Sequence, residues 1–269
     1  DAFRLDVGKL RAAIHADRAN GLRPACVIAT AGTTNTGSID RLSEIADFCA
    51  QEDIWFHVDG CVGALIAISP LNRHLVAGID RADSLALDLH KGLHAPFDVG
   101  CALVRDRRKH RQTFAENAEY LQKTSRGIAA AELLSDYNLD TSRSFRALKV
   151  WMMLKEHGAE KFGRLIDQGI AQARYLDDLF AAEPKIERMA PTVVDIVCFR
   201  YNPGGLAEDA LRSLNIEIMV QMQETGIAAV SDTTIHGRHS LRVAICNHRT
   251  KTSDLDQLRA EVLRIGGIK

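Results

Sequence analysis

The chain lacks long apolar runs, paired cysteines and long tracts of one charge. No stretch approaches the roughly 18 consecutive apolar residues of a membrane-spanning helix, so we expect no membrane segment. Lys and Arg number 34 against 35 Asp and Glu, a net charge of -1, and no long basic run is present. This balance does not call for a nucleic-acid partner. The basic residues at 105–111 indicate a solvated helix face.

The six cysteines do not show the pattern of a disulfide-linked protein. They form no Cys-x-x-Cys pair and several lie in apolar runs, which is typical of small buried residues in a reducing compartment. No signal-peptide pattern opens the sequence, so we expect a cytoplasmic protein. With 269 residues, 46% of them hydrophobic, the chain is long enough for one large domain or two smaller ones.

Apolar runs and helical patterns alternate in the first half. Runs rich in strand-forming residues predict strands at 25–30, 54–59, 84–89 and 99–104. A helical pattern over 39–49 follows a Gly/Thr turn, with Ser38 or Asp40 as its N-cap, and a short helix is predicted at 71–78. This alternation predicts an α/β fold, a mostly parallel sheet covered by helices with ligands at the carboxyl ends of its strands.

The second half predicts a loop, two helices and then a different kind of domain. The weakly periodic residues 114–142 are expected to form the loop, and helices follow at 145–157 and 161–180, the first ended by Gly158. Beyond them we predict strands at 193–201, 216–223, 227–234 and 240–246, with helices at 205–214 and 254–265. Strands in succession indicate a smaller α+β domain with an antiparallel sheet. The expected division is a large-domain portion at 1–158, a linking helix at 159–184 and a small C-terminal domain at 185–269.

An aspartate and a lysine are predicted at one end of the parallel sheet. Asp59 ends the run 54–59, and Lys91 follows the run 84–89. If these runs are neighbouring strands, a carboxylate and an amine emerge at the same edge, where the apolar run favours the neutral, nucleophilic amine. Pyridoxal phosphate needs such a pair, a lysine for the Schiff base and an aspartate that keeps the pyridine nitrogen protonated. A surface lysine just past a strand end is the alternative.

Other motifs leave different chemistry open. His57 and Asp59 share a strand face and could hold a metal, although the sequence has no His-Glu-x-x-His motif. The histidines that could complete such a site are His74, His90 and His94. The turn 32–38 nearly matches a P-loop but lacks the lysine before Ser38, so a tight strand-to-helix turn is favoured over a nucleotide site.

Three residues around the predicted loop have two interpretations each. Tyr120 either packs the loop down or serves as a mobile general acid. Arg143 and Arg146 open a helix, where cations oppose the helix macrodipole. Either they are simply exposed, or an anionic partner lies beside them.

Taken in order, these stretches resemble the group II pyridoxal-phosphate-dependent amino-acid decarboxylases. The matching segments are 29–34, 55–59, 82–84, 90–91, 142–149, 241–242 and 247–250. The resemblance spans essentially the whole chain. It implies a type I pyridoxal-phosphate-dependent transferase-like fold, the cofactor pyridoxal 5'-phosphate, and decarboxylation of an L-amino acid to the amine and carbon dioxide.

The resemblance also implies a role for each site residue. Lys91 would be the Schiff-base lysine, and Asp59 would pair with the pyridine nitrogen. His90 would lie near the phosphate. Thr34 would face the cofactor, and Cys61 would pack on its ring.

Further positions either match the family or depart from it. Tyr120 matches the mobile-loop tyrosine that protonates the carbanion left after carbon dioxide departs. The family usually has alanines where this chain has Gly60 and Cys61. It often has Asn-Pro-His-Lys-Trp, where this chain has a carboxylate, Asp88, expected among the cofactor contacts, and Gly92 in place of the aromatic residue.

Members of the family carry a long region before the first matching segment. The resemblance therefore implies a C-terminal portion whose site a preceding region or a second chain completes. We expect a homodimer that acts on a small amino-acid substrate. The alternatives are an aldehyde synthase or aminotransferase on the same cofactor, and a truncated, non-catalytic chain.

Overall fold

A four-stranded, mostly parallel sheet organises the first part of the chain. The computed structural model describes residues 2–115, 124–127 and 130–268. The strands lie in the order β1 (Cys26–Thr30), β2 (Trp55–Asp59), β3 (Ser84–Asp88) and β4 (Gly100–Val104). The first three are parallel, and β4 runs antiparallel to β3. The predicted α/β sheet is confirmed.

The strand register sets which side chains reach the carboxyl edge of this sheet. Thr30 pairs with Asp59, and Asp59 pairs with Ala86. Because side chains alternate along a strand, Asp59 and Asp88 lie on the same face of the sheet. That face is half-exposed, whereas Val58 on the other face is buried in the core.

Three α-helices belong to this part of the chain: α1 (Val7–Ala19), α2 (Leu42–Glu52) and α3 (Arg107–Phe114). The N-cap predicted for α2 is wrong, because the cap is Arg41, with no side-chain hydrogen bond. The carboxylate of Asp40 is occupied elsewhere, accepting from the backbone amides of Leu5 and Thr30, both at 2.7 Å. The helix predicted at 71–78 is only a 3₁₀ turn, Arg73–Val76, which ends at Ala77, where ψ is 130°. Gly78, in a left-handed conformation (φ 94°), then leads into a second 3₁₀ turn, Ile79–Arg81.

A long helix, α4 (Arg146–Ala181), joins the two parts of the chain. It contains a kink at Gly158, where φ is 73° and ψ is 155°, which is where the sequence predicted one helix to end. Beyond the kink, Ile170 belongs to the core of the first sheet. Ala173, Leu176 and Phe180 belong to the core of the second.

The second sheet is antiparallel throughout, as predicted. Its order is β5 (Ile186–Arg188), β6 (Ile196–Tyr201), β8 (Arg238–Ala244) and β7 (Ser231–Ile235), with helices α5 (Glu208–Glu224) and α6 (Thr252–Gly266). The strand predicted at 216–223 is wrong, because α5 continues through it. The buried residues of α5 recur at helical spacing, and they include Leu211, Leu214, Ile218 and Met222.

One apolar core crosses the expected domain limits. It contains Ile39 and Val58 from the first part together with Ile196 and Cys198 from the second. The division at 1–158, 159–184 and 185–269 stays a prediction. In the part of the chain that the structure describes, no helix combines the length and apolarity needed to cross a membrane.

Candidate active site

Lys91 and Asp88 form an ion pair where β3 ends. The amide of Lys91 donates to the carbonyl of Asp88 at 3.2 Å, and this turn brings Lys91 Nζ to 2.8 Å from Asp88 Oδ2. The side chains are 42% and 20% exposed, so solvent screens the pair. The apolar run before Lys91 predicted an apolar setting for the amine, whereas the structure gives it a carboxylate partner.

Cys61 connects this ion pair to Asp59. Asp59 Oδ1 accepts a hydrogen bond from the amide of Cys61 at 3.2 Å, and the carboxylate also accepts from the Cys61 thiol. Burial raises the pKa of Cys61 to about 11, aided by that hydrogen bond and the charges of Asp59 and Asp88 and opposed by Lys91. The structure therefore brings these four predicted side chains within electrostatic reach of one another.

His90 is held against the chain that leads into β4. Its Nδ1 lies 3.1 Å from the amide nitrogen of Val99 and 3.0 Å from the Val99 carbonyl oxygen. When Nδ1 accepts from the Val99 amide, the proton resides on Nε2, which lies 3.9 Å from Asp88 Oδ2. The ring also packs edge-to-face against that of Phe97, with the two ring centroids 4.9 Å apart.

The Gly/Thr turn between β1 and α2 is held by its own hydrogen bonds. Thr33 Oγ1 lies 2.9 Å from Thr36 Oγ1 and accepts from the amide of Ser38 at 3.1 Å. Thr34 is exposed and lines the cavity described next. This arrangement is the tight strand-to-helix turn that the sequence favoured over a P-loop.

A cavity of about 240 Å³ lies beside Lys91, between the carboxyl edge of the first sheet, α4 and the second sheet. Its polar far wall includes Arg242 and Asp195. Among the described residues, no hydrogen-bond acceptor meets the buried Nε of Arg242. Burial raises the pKa of Asp195, and the charge of Arg242 opposes that rise. The Nη1 atom of Arg242 lies 3.4 Å from Ser231 Oγ, so a hydroxyl on β7 is the partner of this guanidinium.

Two histidines form another polar part of the cavity wall. The rings of His94 and His248 are 5.3 Å apart in an edge-to-face arrangement. Burial, and then the neighbouring His248, lower the pKa of His94. No cofactor role is predicted for His94 from the sequence, and Arg242 and His248 stand out there only as parts of the segments that match the family. Single polar residues in a strand or a loop carry no pattern that would reveal such a wall.

The histidines of the alternative metal site do not come together. His57 Nδ1 lies 2.7 Å from Ser84 Oγ, and His74 Nδ1 lies 3.1 Å from the Leu71 carbonyl oxygen. Across residues 2–115, 124–127 and 130–268, no three His, Cys, Asp or Glu side chains are grouped as a metal site requires.

The remaining residues singled out in the sequence lie elsewhere. Tyr120 falls outside the described residues. Arg146 Nε lies 3.2 Å from Asp98 Oδ1, and Arg143 Nε lies 3.7 Å from Asp140 Oδ2. Both arginines therefore have an anionic partner within the chain.

Comparison with known proteins decides between the chemistries that this geometry permits. The pyridoxal-dependent decarboxylase conserved domain matches residues 1–202. The chain belongs to the pyridoxal-dependent decarboxylase family. The resemblance read from the motifs is confirmed, and pyridoxal phosphate is the cofactor of this family.

Similar proteins to this decarboxylase-family chain are named as decarboxylases of aromatic amino acids. It is 36% identical to the aromatic-L-amino-acid decarboxylase of Bacillus atrophaeus, over 97% of this chain and 54% of that protein. It is 33% identical to tryptophan decarboxylase 1 of Oryza sativa subsp. japonica, over 90% of this chain and 48% of that protein. The structure of Oryza sativa TDC with PLP and tryptamine superposes with a TM-score of 0.90 at 29% identity, covering 99% of this chain and 55% of that one. The chain spans about half the length of the curated relatives it matches.

The residues at the carboxyl edge fit such a cofactor. An amine and a carboxylate, Lys91 and Asp59, flank a half-buried thiol at one end of the sheet. The cationic residue Arg242 lines the adjoining cavity. An anionic ring compound with an aldehyde and a protonated nitrogen would satisfy both the amine and the carboxylate.

Proposed function

We propose that this chain carries the cofactor-binding part of a decarboxylase that converts an aromatic L-amino acid to its amine and carbon dioxide. The observation that carries the proposal is the meeting of Lys91, Asp59 and Cys61 at the carboxyl edge of the sheet, beside a cavity. The names of the relatives support the aromatic class, since they include aromatic-amino-acid, tryptophan and tyrosine decarboxylases. Because the chain spans about half of those proteins, residues beyond it would complete the site.

Each edge residue then has a proposed task. Lys91 would bind the cofactor covalently through its amine, and Asp59 would stabilise the positive charge of the protonated ring nitrogen. Pyridoxal phosphate, when bound, supplies an electron sink for the electron pair left by the departing carboxylate. His90 would lie near the phosphate, Thr34 would face the cofactor, and Cys61 would pack on the ring.

Three further residues have proposed tasks, two of them toward the substrate. Arg242 would bind the substrate carboxylate, because this cationic residue lines the same cavity as Lys91. Asp88 would hold the Lys91 ammonium in place until the cofactor binds. Tyr120 would return the proton to the substrate carbon, as the family resemblance implies.

Labelling tests the assignment of Lys91. Incubation with pyridoxal phosphate, borohydride reduction and peptide mass mapping should place one pyridoxyl group on Lys91. The Lys91→Ala variant should lose the label, whereas Lys155→Ala, at an exposed position of α4, should keep it. An unlabelled Lys91, or label spread equally over other lysines, would contradict the proposal.

Product analysis tests the reaction. With a panel of aromatic and acidic L-amino acids, amine and carbon dioxide should form in equal amounts, and from the aromatic members fastest. Aldehyde in place of amine would instead indicate an aldehyde synthase. A labelled Lys91 with no product would indicate a non-catalytic chain.

We further propose a homodimer in the cytoplasm. Large apolar side chains are exposed at the start of α4 and just before it, with Phe145 at 73%, Trp151 at 59% and Met152 at 56%. Contiguous exposed apolar surface is typical of protein interfaces. Light scattering on the chain should give twice the monomer mass, and Trp151→Glu should shift it toward the monomer. An unchanged mass in that variant would exclude this face.

A further inference from the structure

Gly92 is the residue that leaves space beside Lys91. It directly follows the lysine and lines the same cavity. A Cβ built at this position would lie 3.3 Å from Leu65 Cδ1 and 3.5 Å from Leu65 Cβ. Leu65 is itself a flexible side chain of the cavity wall, so a larger residue at position 92 would displace it or fill the space that the cavity now offers.

The wall around Gly92 is apolar and suited to a ring. The apolar side chains that line the cavity are Val62, Leu65, Ile66, Leu165, Ile166, Ile170, Val194, Ile196 and Ile245. An apolar cavity of about 150 Å³ stays dry and accepts benzene, and this cavity measures about 240 Å³. It is therefore large enough for a six-membered ring or an indole.

Polar groups at the same cavity give the ring an orientation. The His94–His248 pair lines the cavity, and burial lowers the pKa of His94, which favours the neutral imidazole that can accept a hydrogen bond. An indole N–H or a phenol O–H would find an acceptor there. Arg242 lies on the wall as well, so one cavity contains apolar, hydrogen-bonding and cationic parts.

We propose that Gly92 is a specificity-determining residue, whose missing side chain keeps open an apolar pocket beside Lys91 that takes the aromatic ring of the substrate. This inference rests on the proposed function and deepens it, because it names the position that sets the size of the accepted side chain. The aromatic residue that the family often has at this position would occupy the same space.

A binding experiment tests the pocket without cofactor or turnover. Indole is titrated into the chain by calorimetry, with wild type compared to Gly92→Phe, Leu65→Ala and the double variant. Gly92→Phe should weaken indole binding at least tenfold, Leu65→Ala should keep it, and the double variant should recover much of the loss. Ala210→Phe adds the same ring on the exposed side of α5 and should bind as wild type does. Circular dichroism checks that each variant is folded.

The outcomes separate this inference from the proposed function. If folded Gly92→Phe binds indole as tightly as wild type, the pocket is not the one formed at Gly92 and the inference fails. A second outcome concerns turnover, measured as the ratio of kcat/KM for tryptophan to kcat/KM for alanine. If wild type releases amine and this ratio is the same in Gly92→Phe as in wild type, the inference fails while the function stands. If indole binding follows the predicted order and no amine forms, the proposed function fails and the ring pocket stands.

Discussion

The thiol of Cys61 reports on the site without any cofactor. It lies half-buried between Asp59 and the Lys91–Asp88 pair, and its pKa is raised to about 11. The thiolate is the form that reacts with alkylating agents. We therefore expect Cys61 to react unusually slowly with iodoacetamide, for a reason that depends on the geometry of the site.

The size of the effect follows from the pKa. At pH 8 a thiol with a pKa of 11 is about 0.1% thiolate, whereas an ordinary cysteine near 8.5 is roughly one quarter thiolate. Alkylation of Cys61 should therefore be on the order of 100-fold slower than that of an ordinary thiol. Its rate should also keep rising about tenfold per pH unit between pH 8 and 10, where an ordinary thiol levels off.

Alkylation followed by peptide mass spectrometry gives the rate for each cysteine separately, with the exposed Cys246 as internal reference. Asp59→Asn removes one negative charge next to the thiol and should speed alkylation of Cys61 several-fold, although burial, the largest cause, remains. Asp47→Asn, an exposed change on α2, should have no effect. Alkylation of Cys61 as fast as Cys246, with no rise above pH 9, would refute the arrangement of Asp59, Cys61 and Lys91.

Three further predictions concern packing and pH. Gly60→Ala should destabilise the fold by about 1–3 kcal/mol in urea unfolding, because its Cβ would lie 2.5 Å from the Cβ of Ala64; an unchanged midpoint would contradict this packing. Phe180→Ala should cost about 3–5 kcal/mol, because the buried ring packs 4.3 Å from that of Phe199, and a loss below 1 kcal/mol would argue against this core. Asp195→Asn should raise the free energy of unfolding at pH 7, since burial raises the pKa of Asp195 and so penalises its charged form in the folded state. Urea unfolding at several pH values should show this gain shrinking toward the ordinary pKa of 3.8, and a pH-independent gain would contradict the cause.

The sheet and its functional edge could be predicted because local patterns determine them. The apolar runs around Val58 and Leu87 fixed two neighbouring strands, and the residues after them had to emerge at one edge. The helical stretch of α5 was misread because its β-branched residues, such as Ile216 and Ile218, favour strands locally. Burial of Ile218 and Met222 on one helical face overrides that preference.

The cavity wall could not be predicted, because it depends on contacts between distant parts of the chain. Arg242 on β8 and His94 after β3 meet only when the second sheet packs against the carboxyl edge of the first. The ion pair of Lys91 with Asp88 could not be predicted either. The sequence shows a lysine three residues after an aspartate, and only the turn between them places the two charges 2.8 Å apart.

The ion pair between Lys91 and Asp88 matters for cofactor binding, because Asp88 replaces the asparagine that the family often has at this position. A protonated amine held by a carboxylate cannot attack an aldehyde, so the Lys91–Asp88 pair must open before the cofactor binds. Because Lys91 is 42% exposed, the pair is worth about 1 kcal/mol or less, which corresponds to roughly a fivefold change in an equilibrium. Such a cost slows or weakens binding slightly and does not prevent it. Asp59 hydrogen-bonds to Cys61 and not to the lysine, so its carboxylate remains available to the ring nitrogen.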